Sequence, residues 1–190
     1  MKLKAIERLC KAEKRIRLLS APGELQWMGD GCAFYLLEGL PLLDEDAVFT
    51  IFDVPEPKRG KYSFSHDREL IGGICWRDVD PKGERPMDAF SMTMNMGGVT
   101  LRLLRSSDGR LVFINNKYIS PFDDGEVELF LRTSAKGQPY VAVKRGMILC
   151  GVISPFTALS EDFIESLGEI YNKAAVAYAE DRERDEQYSI

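Results

Sequence analysis

The chain has 190 residues, 45% of them hydrophobic and 29% charged, a composition that excludes disordered and fibrous classes and suits one folded domain. Its net charge of −5 is unevenly held: residues 1–17 carry seven Lys or Arg against Glu7 and Glu13, a net +5, which leaves −10 for the remainder. The opening stretch MKLKAIERLCKAEKRIRLL is charged throughout and lacks the apolar stretch of a signal peptide, and no run approaches a membrane span. A cytoplasmic protein with no membrane contact is expected.

Leu3, Ile6, Leu9 and Cys10 recur at the spacing of one buried helical face, so the chain is expected to open with a helix. Lys4, Arg8, Lys11 and Arg15 follow steps of four, three and four and fall in a stripe opposite that face. RIRLLSA and ELQWMGDGCAFYLL read as strands, with turns at Pro22-Gly23 and Gly29-Asp30-Gly31. A second helix follows, with Asp44 as its N-cap, Glu45 and Asp46 in the first turn, and Pro55 and Pro57 ending it.

Residues 55–88 are the least regular, and ELIGGICW is the one strand candidate between polar loops. AFSMTMNM, VTLRLLR and RLVFIN then read as strands, with a turn at 106–109. After a short helix-like NKYISPFDD come three more strands, GEVELFLRTS, QPYVAVKRG and MILCGVISPF. Ser160 caps a final helix over 160–183, lined on one side by Phe163, Ile164, Leu167, Ile170, Tyr171 and Ala174. The fold class expected is α+β: antiparallel sheets with helices packed on them, a C-terminal helix, and two similar halves at about 1–57 and 99–156.

The parts for catalysis are few. His66 is the one imidazole, so any Ser/His or Cys/His machine must use it, and it sits in the charged segment FSHDREL. Cys10, Cys32, Cys75 and Cys150 are widely spaced and form no C-x-x-C pair, which suits reduced thiols better than zinc. Asp78, Asp80 and Glu84 have oxygen ligands for a divalent ion, but their setting is that of a polar loop, and the acids at 44–46 suit a helix N-terminus. The glycine pairs fit neither phosphate-binding pattern. No catalytic residue, metal or cofactor is assigned.

The order strand, short helix, strand, strand, strand over 111–156, with Lys117-Tyr118 after the first strand and VISPF closing the last, resembles a repeat unit of the DNA sliding-clamp fold. The N-terminal half, helix then three strands then helix, is similar to a second unit without its first strand. The segment WMGDGCAFYLLEGLPLLDEDAVFTIFDVP is similar to uncharacterised phage and prophage proteins of Gram-positive bacteria. The resemblance implies a non-enzymatic accessory protein that meets the DNA phosphate backbone, or a replication or phage protein, as a single chain or an oligomer. Spaced cations on one helical face can neutralise successive phosphates without reading sequence, so Lys4, Arg8, Lys11 and Arg15 are the DNA-binding candidates. The alternative is a protein-interaction module that binds no DNA.

Overall fold

The computed structural model describes residues 2–20, 25–122, 127–157 and 159–187. The chain divides into two compact units, Met1–Pro155 and Phe156–Ile190. The first is an α+β unit whose elements run α1 (Leu3–Glu13), β1 (Arg15–Leu19), β2 (Trp27–Gly29), β3 (Ala33–Leu36), α2 (Glu45–Ile51), α3 (Glu56–Arg59) and β4 (Ser63–Asp67). They continue with β5 (Arg85–Met96), β6 (Val99–Ser106), β7 (Leu111–Asn115), a 3-10 turn (Asn116–Ile119), β8 (Glu128–Thr133), β9 (Pro139–Arg145) and β10 (Ile148–Ile153). Local chemistry explains the helix ends. Lys14 stops α1 in the left-handed conformation at φ 49°, and the Asp44 carboxylate accepts from Ala47 N at 2.9 Å to start α2.

All ten strands share one sheet in the order β4-β1-β2-β3-β10-β9-β8-β5-β6-β7. Among the described residues β1 and β4 pair parallel and the other pairs are antiparallel. Two helix-strand-strand-strand runs are joined at the centre: α1-β1-β2-β3 meets the 3-10 turn with β8-β9-β10 through the β3–β10 pair, Tyr35 opposite Gly151 and Ala33 opposite Ile153. Alternation along each strand sends one set of side chains to each face. Ile16 and Leu18 of β1 and Val112 and Ile114 of β7, from opposite ends of the strand order, line the same core as Ile6, Leu9 and Phe49. The sheet therefore curls around α1 and α2.

On the outer face lie Trp27, Phe34, Leu36, Tyr140, Ala142 and Val152, covered by Leu70, Ile71, Ile74 and Trp76. This cover is the segment 68–84, which carries the chain from β4 at one edge of the sheet to β5 near the other and here is called the strap. ELIGGICW, expected as a strand, lies inside the strap and pairs with no other strand. Gly73, at φ 89°, breaks the extended course, and the apolar residues press onto the sheet instead of joining it. Conversely the charged FSHD segment, read as a connection, is β4, parallel to β1 with His66 opposite Leu18.

The strap's backbone finds its partners in the sheet. Gly73 O accepts from Ala135 N at 2.7 Å, and Cys75 N donates to the Tyr140 hydroxyl at 3.0 Å. Arg132, on the outer face of β8 and only 1% exposed, donates to the carbonyls of Cys75, Arg77 and Asp78 at 3.2, 2.8 and 2.7 Å. Its Nε also meets Glu84 Oε2 at 2.8 Å, and Glu84 Oε1 takes the Lys144 ammonium. A bulge between Leu149 and Gly151 coincides with a Leu149 N–H that donates to Asp78 Oδ1 at 2.8 Å. Trp76 closes the apolar side, edge-on to Trp27 at 4.9 Å and to Phe34 at 5.8 Å.

The second unit consists chiefly of α4 (Glu161–Gln187), whose first turn is capped as the sequence suggests: Ser160 Oγ accepts from Phe163 N at 3.2 Å.

Two outcomes follow from this packing. Burial by itself raises the Glu84 carboxyl, but hydrogen bonds from Lys144 and Arg132 outweigh it and hold the group below its ordinary 4.5. That stabilisation is complete above the ordinary glutamate range and is lost as pH falls below it, through the lower folded value. Glu84→Gln leaves a buried guanidinium uncompensated and is expected to cost about 3–5 kcal/mol near neutral pH. In urea unfolding the gap to wild type should narrow steadily below the ordinary glutamate pKa. Gly29→Ala should also destabilise, by about 1–3 kcal/mol or more, because a Cβ there would lie 1.7 Å from Ala33 O across the β2–β3 hairpin.

Candidate nucleic-acid interface

The cations predicted from the sequence do not all stay on one stripe. Lys4 and Arg8 lie on α1 and line a shallow concavity of about 700 Å³ together with Lys2, Leu3, Leu9 and Ser120. Neither Lys4 nor Arg8 forms an ion pair with a carboxylate among the described residues. The α1 N-terminus has no side-chain cap, so its first N–H groups and the positive end of the helix dipole face the same region. Lys2 N is held by Pro121 O at 2.7 Å, which fixes the α1 start against the loop after the 3-10 turn.

Lys11 is on the helix but bound, its ammonium 2.6 Å from Glu7 one turn earlier. Arg15 is not on the helix: the left-handed Lys14 ends it, and Arg15 begins β1 beside the Gly29–Gly31 turn, where Gly31 has φ 98° and a Cβ would stand 3.6 Å from the Arg15 guanidinium. A spacing of four, three and four makes a stripe only where the helix continues, and this one stops at Glu13. Sequence reading passed over Lys2, which the turn of the chain brings to the concavity. Lys117, near in space, is tied to Glu13 at 2.5 Å.

The β2–β3 turn holds a buried acid. Asp30 is 3% exposed, and its Oδ1 accepts from Cys32 N at 2.9 Å and Ala33 N at 3.1 Å, closing the β2–β3 turn. Burial first, and then the Asp30 charge, pushes the Tyr35 and Tyr118 hydroxyls and the Cys10 thiol well above their ordinary values. These groups stay protonated and serve packing; the Tyr35 hydroxyl donates to Tyr118 O at 3.0 Å and ties β3 to the 3-10 turn.

The remaining candidates are engaged in structure. His66 Nε2 lies 2.9 Å from Ser20 Oγ, but Ser20 also accepts from Gln26 Nε2 at 2.8 Å, and the neighbouring Asp67 carboxylate is given to Arg17 at 2.6 Å. No carboxylate orients the imidazole among the described residues, so the third member of a triad is missing. Asp46 pairs with Arg59 at 2.5 Å, and Asp78 and Glu84 fasten the strap. No group of three or more His, Cys, Asp or Glu stands ready for a metal ion among the described residues, and no helix there is long and apolar enough to cross a membrane. The chain matches no protein-family model, no curated protein and no solved structure.

The thiols should separate cleanly by chemistry. Cys10 is buried, burial pushes Cys150 up to about 11, and Cys32 is exposed. Maleimide at neutral pH should therefore label Cys32 first and Cys10 only on unfolding, as read by mass spectrometry of the labelled peptides.

Proposed function

We propose that the protein is a non-catalytic accessory protein of phage or prophage type, with a sliding-clamp-like arrangement, that holds the phosphate backbone of DNA without reading sequence. The observation that carries the reading is the pair of unneutralised cations, Lys4 and Arg8, beside a concavity at the positive end of α1 in an otherwise acidic chain. An acidic body keeps such a protein off nucleic acid except where the cations face it. The two helix-strand-strand-strand runs joined through β3 and β10 support the clamp-like part of the proposal.

Each phosphate neutralised contributes a slope of about −0.9 in log affinity against log salt. Lys4→Ala with Arg8→Ala is expected to lower that slope by about 2 and to abolish retention of duplex DNA at low salt. Lys11→Ala with Arg15→Ala should change it little, because one cation is held by Glu7 and the other lies off the helix. Undiminished retention by the Lys4/Arg8 double variant sinks the reading.

One observation favours protein contacts instead. β8 pairs with β5 only at Arg85, Pro86 and Met87, and from Met92 to Met96 the side of β5 away from β6 has no paired strand among the described residues. Such an edge can accept an added strand. On that reading no DNA is retained even at low salt, and a partner is recovered whose binding is lost when Met92, 55% exposed, becomes Lys.

A further inference from the structure

A second concavity, of about 220 Å³, opens between the strap and the start of the β8–β9 turn, lined by Gly73, Cys75, Asp80, Lys82 and Thr133 among others. Its lining includes a buried carboxylate. Asp80 is 4% exposed; Oδ1 accepts from Lys82 N at 2.9 Å, and Gly83 N closes the same turn on Asp80 O at 2.9 Å. Oδ2 is covered from solvent and accepts no hydrogen bond, and no ion pair reaches Asp80 among the described residues. Two nearby acids of the strap are engaged, Asp78 Oδ1 with Leu149 N and Glu84 with Arg132 and Lys144. A buried carboxylate oxygen with neither donor nor cation is costly, and the group that would relieve it is a cation carrying N–H donors.

We propose that this concavity is a binding site for a primary alkylammonium group, with Asp80 Oδ2 as its counter-ion and Thr133 on the same wall. An ammonium fits better than a guanidinium. The planar fork of a guanidinium is matched best when both carboxylate oxygens are open to it, and here Oδ1 is already committed to Lys82 N, leaving one oxygen for a compact point charge. The concavity is smaller than a drug-sized ligand needs, so it takes a head group: a small free amine, or the end of a lysine side chain presented by another protein. Because Oδ2 lies under the lining, the ammonium must part the Asp80–Gly83 turn to reach it, and in doing so it covers Cys75. This site stands on observations separate from those at α1.

The test is thermal unfolding of the full chain with n-butylammonium, with Nα-acetyl-lysine amide, and with tetramethylammonium as a cation without N–H donors. Saturable stabilisation by butylammonium is expected, with Tm rising by about 2–4 °C at several times Kd, and none from tetramethylammonium. The lysine amide separates the two sources: stabilisation by it at lower concentration than butylammonium assigns the site to a presented lysine, and weaker action assigns it to free amines. Asp80→Asn should remove the shift. Should that variant fold poorly, iodoacetamide labelling of Cys75 in the wild-type protein gives a second reading, slowed about tenfold at ten times Kd. An equal shift from tetramethylammonium, an undiminished shift in Asp80→Asn, or no shift and no protection of Cys75 overturns the site; the last outcome means that the carboxylate is satisfied from within the chain.

Discussion

The structure turns on one buried guanidinium. Arg132 stands on the outer face of the sheet, among the apolar side chains that the strap covers, and takes hold of three carbonyls of the strap and the carboxylate of Glu84. An irregular segment laid across a sheet leaves backbone carbonyls that water cannot reach, and each must find a donor. A guanidinium has five N–H groups in a fixed fork, so a single side chain can satisfy several carbonyls of one bend. Lys144, 3% exposed on the neighbouring strand, adds the second cation and rests on the Phe130 ring at 4.6 Å. This pair acts with the apolar burial of Ile71, Ile74 and Trp76 to hold the strap over Trp27, Phe34 and Tyr140.

Much of the fold is legible in the chain because local signals and tertiary outcome agree. Asp44 and Ser160 cap the helices they were expected to cap, the Ser106–Gly109 turn joins β6 to β7, and the three closing strands run where period-two alternation places them. ELIGGICW fails for a definite reason. Its apolar content is real, but it buries against a sheet face instead of within a ladder, and composition is the same in both cases. Arg132 and Lys144 were equally opaque: a charged residue in an alternating strand reads as solvent-facing, and only the strap, whose contacts come from 55 and 60 residues away, makes them internal.

The α1 cations show a similar limit. Periodicity placed Lys4, Arg8, Lys11 and Arg15 on one stripe, and it is reliable only while the helix lasts. The left-handed Lys14 moves Arg15 to another element, and Glu7 withdraws Lys11. What remains is a smaller and more local positive surface, at the helix start, where backbone N–H groups and side-chain charge act in the same direction.

The pairing of β3 with β10 has a consequence for how the chain reaches this state. The central seam of the sheet joins residues 33–35 to residues 151–153, so the N-terminal meander has no neighbour on that edge until nearly the whole first unit exists. Closing it brings together segments separated by more than a hundred residues, an arrangement that makes folding slow relative to locally connected folds. During synthesis the β3 edge, with Phe34 and Leu36 on it, stays open while the ribosome completes the rest, and that interval is when the chain is most exposed to wrong pairing with its neighbours.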